Sequence, residues 1–327
     1  MTHTFEQKLS ELKKVVVNRM DEILNKTEPV TLWEPMRYAI SSGGKRLRPV
    51  LLLLVNEAVG GSVENALDAA VALEMVHNFT LVHDDIMDND DLRRGRETVH
   101  KKWDANVAIL SGDALLVLAY SALHRNPSDK LPEVLNDFSS GILRVCEGQT
   151  LDKEFEARDS VTLEEYFDMI DKKTAELFSV ACHVGSILGG GSTEQVNAMK
   201  IYGKKVGRAF QIQDDLLDVI SDEAVLGKDI GSDIEENKKT FLVVHALENA
   251  DEEQKKKLYT ILNKNNITAD DVRNVIDIFG QTNTLTAARN IVDECLDDAK
   301  KALLSIPDNS AKHYLSELLD TIAKRNS

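Results

Sequence analysis

Apolar positions recur at three- and four-residue intervals over long stretches of the chain, the spacing of helix faces packed on a core. Between Val63 and Asp90 the stripe runs through Ala66, Ala69, Ala70, Leu73, Val76, His77, Thr80 and Leu81, and Leu163 to Ile187 and Ala198 to Ile220 behave the same way. No run alternates with period two for long enough to predict a strand. The six prolines, Pro29, Pro35, Pro49, Pro127, Pro132 and Pro307, leave these stretches whole. Breaks are marked by Gly60-Gly61, Asn126-Pro127-Ser128, Gly189-Gly190-Gly191-Ser192 and the polar tract from Ser221 to Lys239. The pattern predicts an all-α chain of roughly a dozen helices. No composition shift marks a linker and no repeat of roughly 30 to 50 residues is present, so residues 1–327 are expected to form one domain, a single large helical bundle.

Composition narrows the class of protein. A chain of 327 residues buries a large core without staples. Cys146, Cys182 and Cys295 are few, far apart and in no C-x-x-C pair, and they read as reduced thiols. The opening MTHTFEQKLSELKKVV has no apolar core of a signal peptide, and no later stretch reaches the roughly 18 uncharged apolar residues of a membrane span. A soluble, cytoplasmic protein is expected. A net charge of -16 argues against a nucleic-acid partner, because phosphate backbones are captured by surplus Lys and Arg. An acidic protein that takes an anionic ligand needs a mediator, and a divalent cation is the simplest one.

Two carboxylate clusters fit that need. The first, Asp84-Asp85-Ile86-Met87-Asp88, sits at the end of the Val63 stripe and is followed at once by Arg93 and Arg94. On a helix Asp84 and Asp88 project from one face, one turn apart, and each such pair repels by about 1 to 4 kcal/mol, a penalty that a bound divalent ion reverses. A solvated acidic helix end would give the same run; a calcium loop would need a glycine at its sixth position, which is missing. The second cluster, Asp214, Asp215 and Asp218, lies among Phe210, Ile212, Leu216, Leu217 and Val219. If that helix is packed in the core, these aspartates cannot all face water. Facing clusters on two antiparallel helices would clamp a binuclear or trinuclear metal site at the mouth of the bundle. Gly43-Gly44-Lys45-Arg46-Leu47-Arg48-Pro49 adds two glycines ahead of a dense positive group, which lets backbone approach an anion while side chains grip it. It is not a P-loop, since that pattern's first glycine and its Ser/Thr after the lysine are absent.

Taken in order, GGKRLRP (43–49), EMVHNFTLVHDDIMDNDDLRRG (74–95), GDALL (112–116), GQTLD (148–152), KTAELF (173–178), GRAFQIQDDLLDV (207–219) and GKD (227–229) resemble the trans-isoprenyl diphosphate synthase family. The resemblance implies a helical bundle of the isoprenoid synthase type around a central apolar cavity, and a homodimer. It implies a prenyltransferase that joins isopentenyl diphosphate to an allylic diphosphate. By the same resemblance Asp84, Asp85, Asp88 and Asp214 hold three magnesium ions, with Asp215 and Asp218 in support. Arg93, Lys173, Thr174, Gln211, Lys228 and Lys238 are expected at the allylic substrate, and Lys45, Arg48, His77 and Arg94 at isopentenyl diphosphate. The family usually has a glycine before the last of these lysines; here Asn237 stands there.

Breaking the allylic C–O bond makes a diphosphate anion and a delocalised cation. Magnesium, Arg93 and the lysines would stabilise the first; an apolar cavity, the carbonyls around Lys173 and Thr174, and the Gln211 amide oxygen would face the second. The cation then attacks the double bond of isopentenyl diphosphate, and the proton lost goes, in this family, to the departing diphosphate. Phe79 and Thr80, five and four residues before Asp84, would lie about 7.5 and 6 Å deeper along the helix and form the floor that limits chain length. Short-chain enzymes of archaeal type have one aromatic at this floor, whereas farnesyl-making relatives commonly add a second aromatic or an insertion within the Asp-rich motif. Geranylgeranyl diphosphate, C20, is the expected product. Farnesyl or longer-chain synthesis and a class I terpene cyclase are the alternatives, the last having no use for GGKRLRP, His77 or Arg94.

Overall fold

A computed structural model describes residues 4–126, 128–220, 231–264 and 266–324. Within them the chain is helical almost throughout. It divides into two compact units.

The first unit comprises Met1–Ile142, Leu177–Lys200 and Leu303–Glu317. It contains α1 (Phe5–Ile23), α2 (Val30–Ser41), α3 (Leu47–Ala58), α4 (Val63–Met87), the short α5 (Val99–Lys102) and α6 (Ala105–Leu123). Thr4 and Gln7 close a capping box at the head of α1, which satisfies donors the first turn would leave orphaned. The centre of the unit is α4, packed most extensively on α6 and then on α3. Residues 69–76 of α4 and 49–56 of α3 are buried without a break, so both helices are enclosed on all sides and carry no polar face. That places the chemistry at the ends of α3 and α4, where they leave the core.

After α4 the chain makes a two-residue hairpin, β1 (Leu92–Arg93) paired antiparallel with β2 (Arg96–Glu97). Arg94 at φ 55 and Gly95 at φ 72 form its turn, with both residues left-handed as a tight hairpin requires. Strands two residues long contain no repeat, which is why the hydrophobic pattern does not announce them. At 19 residues with a mean hydropathy of 1.6, α6 is long and apolar enough to cross a membrane by length and composition, although Asp113 interrupts its uncharged run. Its Ala108, Ser111, Gly112, Leu115 and Ala119 are buried.

The second unit comprises Leu143–Glu176, Ile201–Ala302 and Leu318–Ser327. The boundary falls inside α7 (Leu131–Glu156), one residue into α9 (Glu176–Leu188) and inside α10 (Thr193–Ile220), so no linker separates the units and no composition shift could mark one. α8 (Leu163–Ile170) begins with a Thr162–Glu165 capping box and runs into one π-helical turn, Asp171–Ala175, before α9. The expected helix from Leu163 to Ile187 is therefore present, but underwound at Lys173 and Thr174. Six more α-helices follow among the described residues, Ser232–Glu235, Phe241–Asn249, Glu252–Leu262, Ala269–Gln281, Thr284–Ala302 and Ser310–Ala323, the last shared between the two units. Tyr166, Tyr202, Val206, Leu216 and Phe241 are buried in the core of this unit.

Candidate active site

In the first unit a basic corner forms where the GGKR turn enters α3. Gly43, Gly44 and Arg46 all have positive φ, so three of the four residues before α3 lie in the left-handed half of backbone space. Arg46 is buried and donates to Glu74 Oε1 and to the Ile40 carbonyl, tying the turn to α4 and α2. Glu74 is held in turn by Asn78 Nδ2 at 3.2 Å. A buried ion pair with this many partners fixes geometry more than it adds stability. Around it, Lys45 is exposed on the turn. Arg48 Nη1 lies 3.2 Å from His77 Nε2, and its guanidinium stacks 4.4 Å from the Phe178 ring centre. Desolvation, then the charges of Arg48, Arg94, Arg46 and Arg93, hold the His77 imidazole well below its usual range. A neutral ring leaves Nε2 free to accept from Arg48. Arg94 reaches back from the hairpin to the Gly43 carbonyl. Arg48 and Arg94 thus lie within electrostatic reach of His77, with Lys45 exposed on the adjoining turn, and so many like charges in one corner suit an anion.

At the far end of α4 the three aspartates divide. Asp84 and Asp88 are half-exposed, while Asp85 is buried and accepts from Arg93 Nε. Burial raises the Asp85 carboxyl to about 6, against the opposing pull of Arg93. Arg93 also lies 3.6 Å from Asp90. Phe79, one turn below, is half-buried and sets its ring edge-to-face on His83 at 4.8 Å. His83 leans on α6 at Gly112, where a Cβ would come within 2.2 Å of Nε2. Thr80 turns its hydroxyl inward to the His77 carbonyl at 2.9 Å.

The second unit assembles Lys173, Thr174 and Gln211. The π-turn opens with buried Asp171, which Arg208 of α10 grips through Nε at 2.8 Å and Lys204 at 3.0 Å. Lys173 donates to Asp152 on α7, and α7 approaches so closely that a Cβ on Gly148 would lie 2.3 Å from the Lys173 amide nitrogen. Thr174 Oγ1 donates to Gln211 Oε1 at 2.8 Å, and Gln211 Nε2 donates to Asp215 Oδ1 at 2.8 Å. Of the second aspartate cluster only Asp214 is exposed. Asp215 is 3 % exposed and accepts further bonds from Tyr166 and the Phe241 amide. Burial first, then the charge of Asp233, lifts its carboxyl to about 7. Asp218 is buried and accepts from Ser232 Oγ at 2.7 Å and the Asp233 amide at 3.2 Å. Lys238 lies beside Glu236 and 3.5 Å from Asp233. Asn237 before it has φ 53, the left-handed region that glycine adopts freely and asparagine tolerates better than most side chains. Lys228 lies outside the described residues.

Sequence reading did not single out Arg46, Glu74, Asp152, Tyr166, Asp171 or Arg208 as site residues. Most of them stand inside the quoted motifs, but their partners are 21 to 49 residues away in the sequence, and a motif does not name its partners. Among the described residues no three His, Cys, Asp or Glu side chains converge into a ready cage for a cation. Magnesium does not require one, because it keeps waters and takes one or two carboxylates alongside substrate phosphates. The half-exposed oxygens of Asp84 and Asp88 and the exposed Asp214 are the hard, anionic donors it prefers.

The sequence profile of the polyprenyl synthetase family matches residues 29–279. A short chain isoprenyl diphosphate synthase from Methanothermobacter thermautotrophicus is 41 % identical over 318 residues, 97 % of each chain. A geranylgeranyl diphosphate synthase from Methanosarcina mazei is 39 % identical, over 94 % of this chain and 93 % of its own. The crystal structure of geranylgeranyl pyrophosphate synthetase from Pyrococcus horikoshii superposes with a TM-score of 0.94 at 40 % identity, covering 99 % of this chain and 100 % of that one. The chain belongs to the polyprenyl synthetase family and has its all-helical fold.

Proposed function

We propose that this chain is a magnesium-dependent prenyltransferase that condenses isopentenyl diphosphate with allylic diphosphates to a short-chain trans-prenyl diphosphate, geranylgeranyl diphosphate (C20). The observation that carries this reading is that α4 bears an arginine corner at one level and a carboxylate cluster at another, which suits two anionic groups held in different ways. His77, in the arginine corner, and Asp84, in the carboxylate cluster, are seven residues apart, which is about 10 Å along one helix face. A cyclase with a single diphosphate substrate has no use for the arginine corner. Relatives with about the same identity that are named geranylgeranyl diphosphate synthases support the C20 product.

Asp84, Asp85, Asp88 and Asp214 would hold magnesium, three ions per active site, with Asp215 and Asp218, buried on the helix of Asp214, in support. When bound, the metal supplies positive charge to the leaving diphosphate. Arg93, oriented by Asp85, and Lys173, oriented by Asp152, add charge from the protein. Lys228 and Lys238 complete the allylic set. Lys45, Arg48, His77 and Arg94 grip the diphosphate of isopentenyl diphosphate. The Gln211 oxygen and the carbonyls of the π-helical Lys173–Thr174 turn face the allylic cation, and Phe79 with Thr80 floors the central apolar cavity. The protein works in the cytoplasm as a homodimer, in which a second copy covers the α6 face where Ile109, Leu110 and Val117 are 44 %, 59 % and 64 % exposed.

Labelled isopentenyl diphosphate offered with dimethylallyl, geranyl and farnesyl diphosphates in turn should give labelled C20 in each case. Label in no allylic product would favour the cyclase. Light scattering should give twice the chain mass; a monomer would remove the dimer from the proposal.

A further inference from the structure

Behind Gln211 a line of polar side chains in the second unit leads to Tyr166 on α8. Tyr166 is 1 % exposed, and its phenol donates to Asp215 Oδ2 at 2.7 Å. The Phe241 amide donates to the same oxygen at 3.1 Å. The other carboxylate oxygen accepts from Gln211 Nε2 at 2.8 Å, and Gln211 Oε1 accepts from Thr174 Oγ1 at 2.8 Å. Three donors converge on Asp215, so it stands there as an acceptor. An acceptor dictates which end of the neighbouring amide faces it. Gln211 therefore turns its NH2 towards Asp215 and its oxygen towards Thr174.

That orientation has a sign. An amide oxygen is the negative end of its dipole and favours a carbocation beside it, whereas a reversed amide would present N–H groups and oppose one. Four residues after α8 ends, the π-turn sets the Thr174 hydroxyl where it donates to that oxygen. Tyr166 thus holds, through Asp215, the group whose polarity matters most to a cation.

We propose that Tyr166 is a positioning residue for the allylic cation, its phenol holding Asp215 so that the Gln211 amide keeps its oxygen, and not its NH2, turned to Thr174 and the reacting chain. This rests on the assignment of Gln211 and Thr174 to the allylic substrate. The ring of Tyr166 also packs 5.7 Å from Phe167 and 6.1 Å from Phe241, contacts that a phenylalanine would retain. Tyr166→Phe therefore separates the hydroxyl from the packing.

The test is a double-mutant cycle on kcat and KM using Tyr166→Phe, Gln211→Ala and the pair. Tyr166→Phe should lower kcat about tenfold, an electrostatic loss at the cation, while KM for isopentenyl diphosphate stays within about twofold. In the Gln211→Ala background the same substitution should have no further effect. A tenfold loss that persists in that background overturns the inference and leaves the role of Gln211 intact; a Gln211→Ala enzyme with full turnover overturns both. Tyr202→Phe, which removes another buried phenol from the same unit, should keep kcat within about twofold, and an equal loss there would reduce Tyr166 to general packing. Should Tyr166→Phe fail to fold, Asp215→Asn decides the matter. Its own NH2 allows the Gln211 amide to reverse with Tyr166 still present, and unchanged kcat would overturn the inference.

Discussion

The guanidinium of Arg94 occupies the space in which a side chain on Gly44 would begin: a Cβ built there lies 2.7 Å from Nη1 and 3.0 Å from Cζ. Gly44 also sits at φ 121, a conformation that side chains avoid. The glycine thus does two things at once, turning the chain and leaving room for an arginine from the hairpin. Gly44→Ala should displace Arg94 from the Gly43 carbonyl and loosen the corner. A charged hydrogen bond of this kind is worth about 1.5 to 3 kcal/mol, so KM for isopentenyl diphosphate should rise roughly 10- to 100-fold. KM for the allylic substrate should move far less, and steady-state kinetics with each substrate varied in turn would show the split.

Asp84 and Asp88 stand one turn apart and half-exposed at the end of a buried helix. Asp84→Ala should cut turnover by about three orders of magnitude or more while circular dichroism stays native, because little packing is lost at a half-exposed position. A second readout avoids catalysis altogether. Magnesium with inorganic diphosphate should raise the melting temperature of the wild type, as any ligand of the native state does, and should raise that of Asp84→Ala much less. Equal shifts would remove Asp84 from the metal site.

Much of this site is legible in the sequence because its parts are local. The i, i+4 aspartates, the GGKR turn and the paired arginines each lie within a few residues, and helix geometry alone places them. What escapes is the division of labour. Asp84, Asp85 and Asp88 look alike as letters, yet Asp85 faces inward to Arg93 and the other two do not. Asp214 is exposed while Asp215, next to it, is the acceptor for three donors. Adjacent residues on a helix point about 100° apart, so one cluster serves both solvent and core, and only the packing reveals which member does which. The π-turn at Lys173 is invisible for a related reason: one inserted residue shifts the apolar period too little to register.

Phe79 offers a test of the product assignment. Its ring lies one turn beneath His83 and five residues before Asp84, about 7.5 Å deeper along α4. An isoprene unit adds roughly 4 to 5 Å to an extended chain, so one aromatic at this depth is the right size of obstacle to stop growth by a unit or more. Phe79→Ala should lengthen the products beyond C20, seen by chromatography of the dephosphorylated alcohols. Because Phe79 is only half-buried, the stability loss should fall below the roughly 3 to 5 kcal/mol of a fully buried phenylalanine. An unchanged product spectrum would free Phe79 from any role in length.

His77 makes the arginine corner sensitive to acid. Its imidazole is held neutral by desolvation and by four nearby guanidiniums, so its folded pKa lies well below 6.5 while the unfolded chain titrates near 6.5. Below about pH 6.5 the unfolded state therefore binds a proton that the folded state refuses, and stability falls as the pH drops, by up to about 1.4 kcal/mol per pH unit, until the folded pKa is reached. Above pH 6.5 this contribution is flat. Asp85 and Asp215 have the opposite sign: with folded values raised to about 6 and about 7, they bind protons more readily in the native state and add stability as the pH falls towards the ordinary carboxylate range. The wild-type curve alone would blend these trends. Comparison with His77→Gln isolates the histidine, since both carboxylates remain in the two proteins. The difference in urea-unfolding free energy between wild type and His77→Gln should be constant from pH 7 to 8 and should turn against the wild type from pH 6.5 down to 5. A difference that stays constant over the whole range would mean that His77 takes up its proton in the folded state, and Arg48 could then no longer donate to it.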